Sequence, residues 1–440
     1  MHRFCLVTLL VTACAVDVDD EIPGDEALDV CTGGPFRCLA QARVSATDSY
    51  TMFASAAPKG YGPDELRQAY SIPTSGTSAP TVAIVVAYGY KKLAADLAAY
   101  RDYYGLPPCT VASGCLTIVN QHGDPSPLPP EPSLDNDWTL ETMLDVAMVS
   151  AACPRCKLLV LQCNDSGSGL LDGQDSAVEL GADVISDSWG GPEVPGFSYD
   201  GVETHFDHPT VATFVATGDA GYNSSGAGPD YPGTSAHVIA VGGTRLVADS
   251  DASRGFTETA WSHGGSACSL TIDKPSYQSM SPCAHRASAD IAAVGDPGTG
   301  VAVYHSRTNP PWKVLGGTSA SAPLMAGLFA AIDRGRETAA NLAEHTDALH
   351  DVTAGKNGNC NSILCAAAKG WDGPTGLGTP NAARLAGITL PDPPPTGDDP
   401  MPSPSVPLPL SCSSGRPSDG AWLLVVLLVP RRRRLRLKRP

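Results

Sequence analysis

The chain has 440 residues, of which 42% are hydrophobic, so it can bury one large core or two ordinary ones. The formal net charge is -17, and seven of the 29 basic residues lie in the last ten positions, so the rest of the chain is strongly acidic. This charge makes nucleic acid an unfavourable partner. The 45 glycines and 39 prolines indicate many turns and argue against a helical bundle.

Fourteen cysteines are typical of an exported protein rather than a cytosolic enzyme. Ten of them form close pairs in the sequence, which predicts short loops closed by disulfides: Cys31 with Cys38, Cys109 with Cys115, Cys153 with Cys156, Cys268 with Cys283 and Cys360 with Cys365. The Cys153 pair could also be a redox motif or half of a zinc site, but no second pair has zinc-ribbon spacing. Cys163 is left without a partner.

The first 14 residues have a short basic start and an apolar run, which predicts an export signal. The residues before Cys14 resemble a bacterial lipoprotein cleavage site, and an ordinary signal-peptidase site nearby is the alternative. Residues 15–60 are acidic with few apolar runs, so we expect a flexible leader there.

The segment from Thr81 to Ala87 is a continuous run of apolar and β-branched residues, typical of a strand buried on both faces, and a helix is predicted from Leu93 to Arg101. Further strands are predicted near 157–161, 182–186, 211–216 and 237–241, with helices near 139–152 and 174–180. This alternation predicts an α/β domain over residues 61–388, with a central parallel sheet flanked by helices. In such sheets the active site lies at the carboxyl ends of the strands.

The helix predicted from Thr139 carries Glu141 and Asp145, whose spacing of four places both carboxylates on one face. No lysine or arginine occurs between Glu141 and Ser150. A solvated helix face is one interpretation, and a functional pair of acids is the other.

Asp219 follows the strand predicted at 211–216 and lies between glycines, so it is either a turn residue or a residue at the carboxyl end of the sheet. Ser319 lies in Gly316-Gly317-Thr318-Ser319, just before an apolar run with the length of a buried helix. At a helix start, unpaired amide groups would stabilise an oxyanion, so Ser319 is either a nucleophile or a helix cap.

The residues around Ser319 resemble the subtilisin nucleophile motif, which would require an aspartate–histidine pair elsewhere. The first core strand contains no acid. His122-Gly123 is followed by Asp124-Pro125-Ser126-Pro127, which cannot form a helix interior. A histidine triad is therefore not predicted.

After about residue 390 the composition changes. Residues 389–411 form a proline-rich linker, and residues 412–440 contain Cys412, a short apolar run and an arginine cluster. This order resembles C-terminal surface-sorting signals of myxobacteria and their relatives, and a frayed basic tail is the alternative.

Seven motifs occur in the order found in the sedolisin family, the serine-carboxyl peptidases, and the chain is similar to that family from about residue 60 to 388. They are Val82-Ala83-Ile84-Val85, Glu141 with Asp145, Val184-Ile185-Ser186-Asp187-Ser188-Trp189-Gly190, Gly218-Asp219, Tyr231-Pro232-Gly233 with Ala240-Val241-Gly242-Gly243-Thr244, Gly317-Thr318-Ser319-Ala320-Ser321-Ala322-Pro323, and Gly370-Trp371-Asp372-Gly373-Pro374-Thr375-Gly376-Leu377-Gly378. The resemblance implies a subtilisin-like fold.

The resemblance also implies roles for four residues. Ser319 would be the nucleophile, Glu141 the general base, and Asp145 the group that orients Glu141. Asp219 would donate to the oxyanion, which a carboxyl group can do only when protonated. We therefore expect activity confined to acidic pH, with Glu141 ionised and Asp219 neutral.

The family binds one structural calcium ion near the C-terminal end of the domain. The matching carboxylates are Asp351 and Asp372, with backbone carbonyl ligands expected from Val352, Ala368 and Gly370. Two features depart from the family pattern. The segment before the domain is shorter than the usual propeptide, and Asp187 replaces a common asparagine.

The resemblance implies a secreted or surface-attached acid endopeptidase that acts as a monomer on proteins or peptides, held at the cell envelope by an N-terminal lipid or a C-terminal sorting signal. A catalytically inactive binding module on the same fold and a tripeptidyl-type exopeptidase are the alternatives.

Overall fold

The computed structural model of the protein describes residues 27–45, 48–76, 78–222 and 229–387. The predicted export signal (1–14), linker (389–411) and sorting segment (412–440) lie outside these residues. No helix within the described ranges is both long and apolar enough to cross a membrane.

The described helices are α1 Pro63–Ala69, α2 Leu93–Tyr103, α3 Trp138–Ala152, α4 Ser168–Glu179, α5 Asp200–Glu203, α6 Thr318–Ala331, α7 Ala339–Glu344 and α8 Ala382–Leu385. Short 3-10 turns occur at Ser276–Gln278, Pro297–Thr299 and Thr346–Ala348. The strands are β1 Ala27–Asp29, β2 Arg37–Cys38, β3 Gln41–Ser45, β4 Asp48–Met52, β5 Ala54–Ser55, β6 Thr81–Ala87, β7 Leu116–Asn120, β8 Lys157–Cys163, β9 Val184–Asp187, β10 Trp189–Pro192, β11 Ala212–Ala216, β12 Asp230–Tyr231, β13 Ile239–Ala248, β14 Phe256–Ala260, β15 Ala267–Asp273, β16 His285–Ser288, β17 Ile291–Val294, β18 Val301–Tyr304, β19 Trp312–Gly316, β20 Leu349–His350 and β21 Thr379–Pro380.

An eight-stranded sheet forms the centre of the fold. Its strand order is β14-β13-β11-β9-β6-β8-β7, and β17 pairs with β13. All pairs in it are parallel except β13 with β14. The predicted α/β class with a central parallel sheet is confirmed, and its central strands β6, β9 and β11 are buried along nearly their whole length.

Helices α3 and α6 pack against each other on one face of this sheet, while α4 covers β6 and β8 on the other. Gly327 on α6 allows this close approach, since a side-chain carbon there would lie 2.9 Å from Ala152 Cβ and 3.1 Å from Val149 Cα of α3. The two helices that carry the predicted nucleophile and base are therefore held together by direct packing.

The second sheet corrects one prediction. Strands β1, β3 and β4 lie in the segment predicted to be a flexible leader, and β3 pairs antiparallel with β19 of the domain, with Ala42 opposite Leu315. Leu39, Ala42 and Val44 are buried. The flexible-leader prediction is therefore wrong for the described residues between 27 and 60, because this segment is stabilised by strand pairing with distant residues rather than by its own apolar runs.

All five predicted disulfides are confirmed, with Cα–Cα distances from 5.0 to 5.9 Å. The Cys153–Cys156 pair is therefore a structural bridge. Cys163 is a buried free thiol.

Candidate active site

Ser319 is the second residue of α6 and is fully buried. Gly317 precedes the helix with φ of +85°, and a side chain there would collide with the Leu39 carbonyl oxygen and with Asp219 Oδ2. The Ser319 hydroxyl donates to the Ser188 carbonyl oxygen over 3.1 Å, and the Ser319 amide donates to the Leu39 carbonyl oxygen over 3.0 Å. The predicted position at a helix start is confirmed.

Glu141 and Asp145 lie one turn apart on α3, and both are fully buried. The interpretation of this helix face as solvated is therefore wrong. Burial, followed by repulsion from Asp145, holds the pKa of Glu141 well above its usual range, while the adjacent Ser319 hydroxyl lowers that pKa. Neither Glu141 oxygen has a hydrogen-bond partner of normal geometry.

Asp145 is held by Ser188, whose hydroxyl donates to Asp145 Oδ1 over 2.7 Å. Burial raises the pKa of Asp145 to about 8, although the hydrogen bonds from Ser188 and Glu141 act in the opposite direction. Glu141 and Asp145 thus form one buried pair that binds protons as a unit, and the Ser188 bond favours negative charge on Asp145.

Asp219 follows β11 at the carboxyl edge of the sheet, beside the start of α6. Its Oδ1 accepts from both the amide and the hydroxyl of Thr318, over 2.8 and 2.9 Å. Asp219 Oδ2 has no hydrogen-bond partner, and a side-chain carbon on Gly317 would lie 2.7 Å from it and 2.1 Å from the Leu39 carbonyl oxygen. Burial raises the pKa of Asp219 to about 8, so Oδ2 carries a proton at acidic pH.

Asp187, the acid that departs from the family pattern, lies at the end of β9 and is fully buried. Its two oxygens have no partner of normal geometry. Burial and then repulsion from Asp145 hold the pKa of Asp187 well above its usual range, so it is a neutral acid beside the pair.

A cleft runs past Ser319, and residues 36–42 of the same chain lie along it. Strand β2 pairs antiparallel with β10, with Cys38 opposite Trp189 and Arg37 opposite Gly190. The Leu39 amide donates to the Ser188 carbonyl oxygen over 3.1 Å. The chain's own residues therefore continue without interruption on both sides of Leu39, whose carbonyl oxygen contacts the Ser319 amide.

The predicted calcium ligands lie in one loop region. The Gly370 amide lies 3.2 and 3.1 Å from the two Asp351 oxygens, and the Ala368 amide donates to Asp372 Oδ2 over 2.8 Å. Burial, with a contribution from Asp351, raises the pKa of Asp372 to about 7. Within the described ranges, no group of three or more His, Cys, Asp or Glu side chains could hold a metal ion.

Sequence reasoning missed three residues that organise the site. Ser188 contacts both Asp145 and Ser319, Thr318 orients Asp219, and the backbone of Leu39 meets the amide of Ser319. A local signal existed for two of them, because Ser188 follows a buried strand and Thr318 begins a helix. No local sequence pattern indicated Leu39, because the residue that it contacts, Ser319, lies 280 positions away.

Comparisons with known proteins show the family and the fold of this chain. The model of the subtilase family, Peptidase_S8, matches residues 135–361. Kumamolisin from Bacillus sp. (strain MN-32) is 31% identical over 375 residues, which are 77% of this chain and 65% of that protein. Tripeptidyl-peptidase 1 from Dictyostelium discoideum is 26% identical over 338 residues, 67% of this chain and 52% of that protein.

Among solved structures, a Pseudomonas sedolisin (serine-carboxyl proteinase) complexed with two molecules of pseudo-iodotyrostatin has the same fold, with a TM-score of 0.63 and 24% identity. The match covers 75% of this chain and 98% of that chain. The chain spans less than two thirds of the length of the two curated relatives above.

Proposed function

Because the chain belongs to the subtilase family, on its sedolisin branch, we propose that it is a serine-carboxyl endopeptidase that cuts proteins or peptides at acidic pH. One observation carries the proposal. The buried Ser319 hydroxyl lies beside an acid pair on one side, and the Ser319 amide and Asp219 Oδ2 flank a peptide carbonyl on the other.

In the proposed reaction, Ser319 Oγ attacks the substrate carbonyl carbon while its proton passes to Glu141. The Ser319 amide and protonated Asp219 Oδ2 donate to the oxyanion. Glu141 then returns the proton to the leaving amine, and water hydrolyses the acyl-enzyme by the same steps in reverse order. Asp145, fixed by Ser188, orients Glu141 and is a positioning residue.

The proposed roles require two different protonation states, which predicts two pH limits for activity. Asp219 must be protonated, and its pKa of about 8 sets the upper limit. Glu141 must be ionised when it accepts the serine proton, so the Glu141–Asp145 pair must have lost a proton, which sets the lower limit. We expect a bell-shaped dependence of kcat/KM on pH that falls by pH 8.

The shape of the cleft favours an endopeptidase over a tripeptidyl exopeptidase. Four residues, from Phe36 to Leu39, lie on the acyl side of the carbonyl beside Ser319, and Pro35 continues past Gly191. An enzyme that releases tripeptides requires a barrier after the third residue. Because the chain continues from Leu39 back to Pro35 without meeting such a barrier, this site supports internal cleavage.

We also propose that Asp351 and Asp372, with carbonyls of Val352, Ala368 and Gly370, hold one structural calcium ion. Two carboxylates that repel each other within one loop fit a cation site, and oxygen ligands suit calcium. The ion would stabilise the loop and takes no part in proton transfer.

Export and attachment to the outer cell surface remain part of the proposal. Five disulfides in the described residues support an oxidising compartment. Protein or peptide substrates and a monomeric state are proposed with it, and nucleic acid is not a proposed partner.

The test uses a denatured protein with an acetylated amino terminus, incubated from pH 3 to pH 8, with product masses measured. Internal fragments at acidic pH, lost in Ser319→Ala and Glu141→Gln, would support the proposal. Tripeptides released only from substrates with a free amino terminus would favour the exopeptidase. Absence of cleavage by the folded, calcium-loaded protein would favour the inactive binding module.

A further inference from the structure

The first turn of α3, which leads to Glu141, is held by a hydrogen-bonded cluster around the buried Thr139. The amides of Leu140 and Glu141 donate to the Asp137 carbonyl oxygen, over 2.9 and 3.4 Å. The Asp137 carboxylate is bound by Arg307 over 3.1 Å and accepts from the Thr139 hydroxyl. The position of the Glu141 backbone therefore depends on the groups that fix Asp137 and Thr139.

His305 joins this cluster from the loop between β18 and β19. It is 1% exposed, and its Nε2 lies 3.0 Å from Thr139 Oγ1. Its ring packs on that of Tyr90, with centroids 5.4 Å apart. From the same loop, β19 continues to Gly316, three residues before Ser319. The loop that carries His305 therefore leads to the proposed nucleophile and contacts the helix of the proposed base.

The hydrogen bonds of Thr139 determine which nitrogen of His305 carries the proton. Asp137 is paired with Arg307, so its carboxylate only accepts, and it takes the one hydroxyl proton of Thr139. Thr139 Oγ1 also accepts from Arg307 over 3.1 Å. His305 Nε2 must then be the donor to the remaining lone pair of Oγ1, which assigns Nδ1 as the unprotonated nitrogen.

Nδ1 of His305 has no acceptor for a second proton. It is buried, and no group within the described ranges forms a hydrogen bond with it. Protonation would create an imidazolium at the amino end of α3, which is the positive end of the helix dipole, near the Arg307 guanidinium. Burial is the largest cause that lowers the pKa of His305 to about 4, although Asp137 and Asp96 act in the opposite direction.

Titratable groups face this ring from each element packed around it. They are Tyr90, Lys92 and Asp96 before and on α2, Asp137 before α3, Arg307 in the same loop and Lys313 on β19. The Asp137 carboxylate is paired with Arg307. The Asp96 carboxylate accepts from the Tyr90 hydroxyl and from the Ser306 amide. Neither carboxylate forms a hydrogen bond with Nδ1, so neither compensates for the burial of a charged ring.

We propose that His305 is a positioning residue for Glu141, which holds the first turn of α3 while its ring is neutral and releases that turn when Nδ1 takes up a proton. This inference rests on the proposed peptidase function. It adds a loss of activity at the acid end of the pH range that is separate from protonation of the Glu141–Asp145 pair.

The direction of the effect with pH follows from the lowered pKa. An unfolded chain protonates a histidine below about pH 6.5, whereas the pKa of about 4 keeps His305 neutral in the folded protein down to that pH. His305 therefore contributes its full stability above about pH 6.5, and this contribution is lost as pH falls to about 4. Below that pH the folded protein itself carries the imidazolium.

The experiment compares the full-length protein with His305→Gln, measuring kcat/KM on an acetylated peptide from pH 3 to pH 7. Glutamine can still donate to Thr139 Oγ1 but takes up no proton. Both proteins keep Glu141 and Asp145, so the acid limit set by this pair cancels in the ratio of the two kcat/KM values. We expect a ratio near one at pH 6 that rises to about tenfold in favour of His305→Gln at pH 3, because a group with a pKa of about 4 is about nine-tenths protonated there.

A second variant and a control separate positioning from packing. His305→Phe keeps a ring against Tyr90 but cannot donate to Thr139. It should lower kcat at pH 6 by about fivefold or more, with little change in KM, because Glu141 is then less well placed for proton transfer. His122→Gln, at an exposed histidine, is the matched control and should follow the parent at every pH. Should His305→Phe fail to fold, the pH dependence of His305→Gln still decides the question.

A structural measurement adds a readout that does not depend on activity. With Ser319→Ala in both proteins, hydrogen exchange of the Leu140 and Glu141 amides is followed from pH 6.5 to pH 4 and corrected for the intrinsic exchange rate. Protection should fall by up to about tenfold per pH unit in the parent and stay nearly constant in His305→Gln. An equal fall in both proteins would overturn the inference.

The outcomes separate this inference from the function on which it rests. A kcat/KM ratio that is constant from pH 7 to pH 3, or parent kcat at pH 6 in His305→Phe, would overturn the inference and leave the peptidase proposal standing. If neither the parent nor any variant cleaves the peptide at any pH, the peptidase proposal itself fails, and the inference fails with it.

Discussion

The substitution Asp219→Asn tests the protonation state of the proposed oxyanion donor. Burial raises the pKa of Asp219 from 3.8 to about 8. The native state therefore keeps this proton at pH values where the unfolded chain has lost it. Because of this difference in proton binding, Asp219 lowers the free energy of unfolding progressively as pH rises from about 4 to about 8.

The magnitude is large enough to measure. Each pH unit in this window corresponds to about 1.4 kcal/mol, so between pH 4 and pH 7 the upper limit is about 4 kcal/mol. Asparagine does not ionise, so the free energy of unfolding of the variant does not fall with pH for this reason. Its Oδ1 can still accept from the amide and hydroxyl of Thr318, so we expect nearly equal stability of parent and variant at pH 4.

Scanning calorimetry from pH 4 to pH 7.5 checks this, with Ser319→Ala in both proteins to prevent self-digestion. The Tm difference should grow with pH in favour of Asp219→Asn, by several degrees at pH 7. Asp102→Asn, at an exposed helical position, should show no such trend. A difference that is constant with pH, or that reverses, would refute the assignment of a neutral Asp219.

Three further predictions follow from the same geometry. Glu141→Gln removes the base and should lower kcat by about 10²- to 10⁴-fold on an acetylated peptide, with unchanged Tm at pH 4 as the control for folding. Asp372→Asn should remove most of the rise in Tm that calcium produces over a chelator, and an equal rise in parent and variant would contradict the proposed ion site. Arg286 is fully buried and donates two hydrogen bonds of 2.9 and 2.6 Å to Asp290. Arg286→Met should therefore lower the free energy of unfolding by about 3–5 kcal/mol. If the double variant with Asp290→Asn regains part of this stability, the unpaired charge of Asp290 is the cause.

The predicted elements of the parallel sheet were correct because their signals are local. Thr81–Ala87 was predicted with its observed bounds, whereas the helix predicted near 174–180 begins at Ser168, the strand predicted near 237–241 continues to Ala248, and β7 and β17 were not predicted. A strand that is covered on both faces has a continuous apolar, β-branched sequence, so its burial can be predicted from composition alone. The spacing of Glu141 and Asp145 likewise places them on one helix face.

The chemistry of the site could be predicted only in outline. Sequence motifs brought Ser319, the acid pair and Asp219 together as one hypothesis, and the structure places them around one cleft. Their pKa directions depend on burial and on Ser188 and Thr318, which no spacing rule reveals. The pKa of a buried group depends on the residues that pack around it in the folded protein.

By itself, the sequence determined the fold class and the disulfide pairs and indicated four candidate site residues, because periodicity, cysteine spacing and ordered motifs are readable within short windows. The tertiary structure decided where the described residues between 27 and 55 lie. Their composition is that of a leader, yet strand pairing with β19 and β10 and the Cys31–Cys38 bridge hold them on the domain. Such pairing joins residues as far apart as Gln41 and Gly316, and only the folded chain brings Leu39 to Ser319.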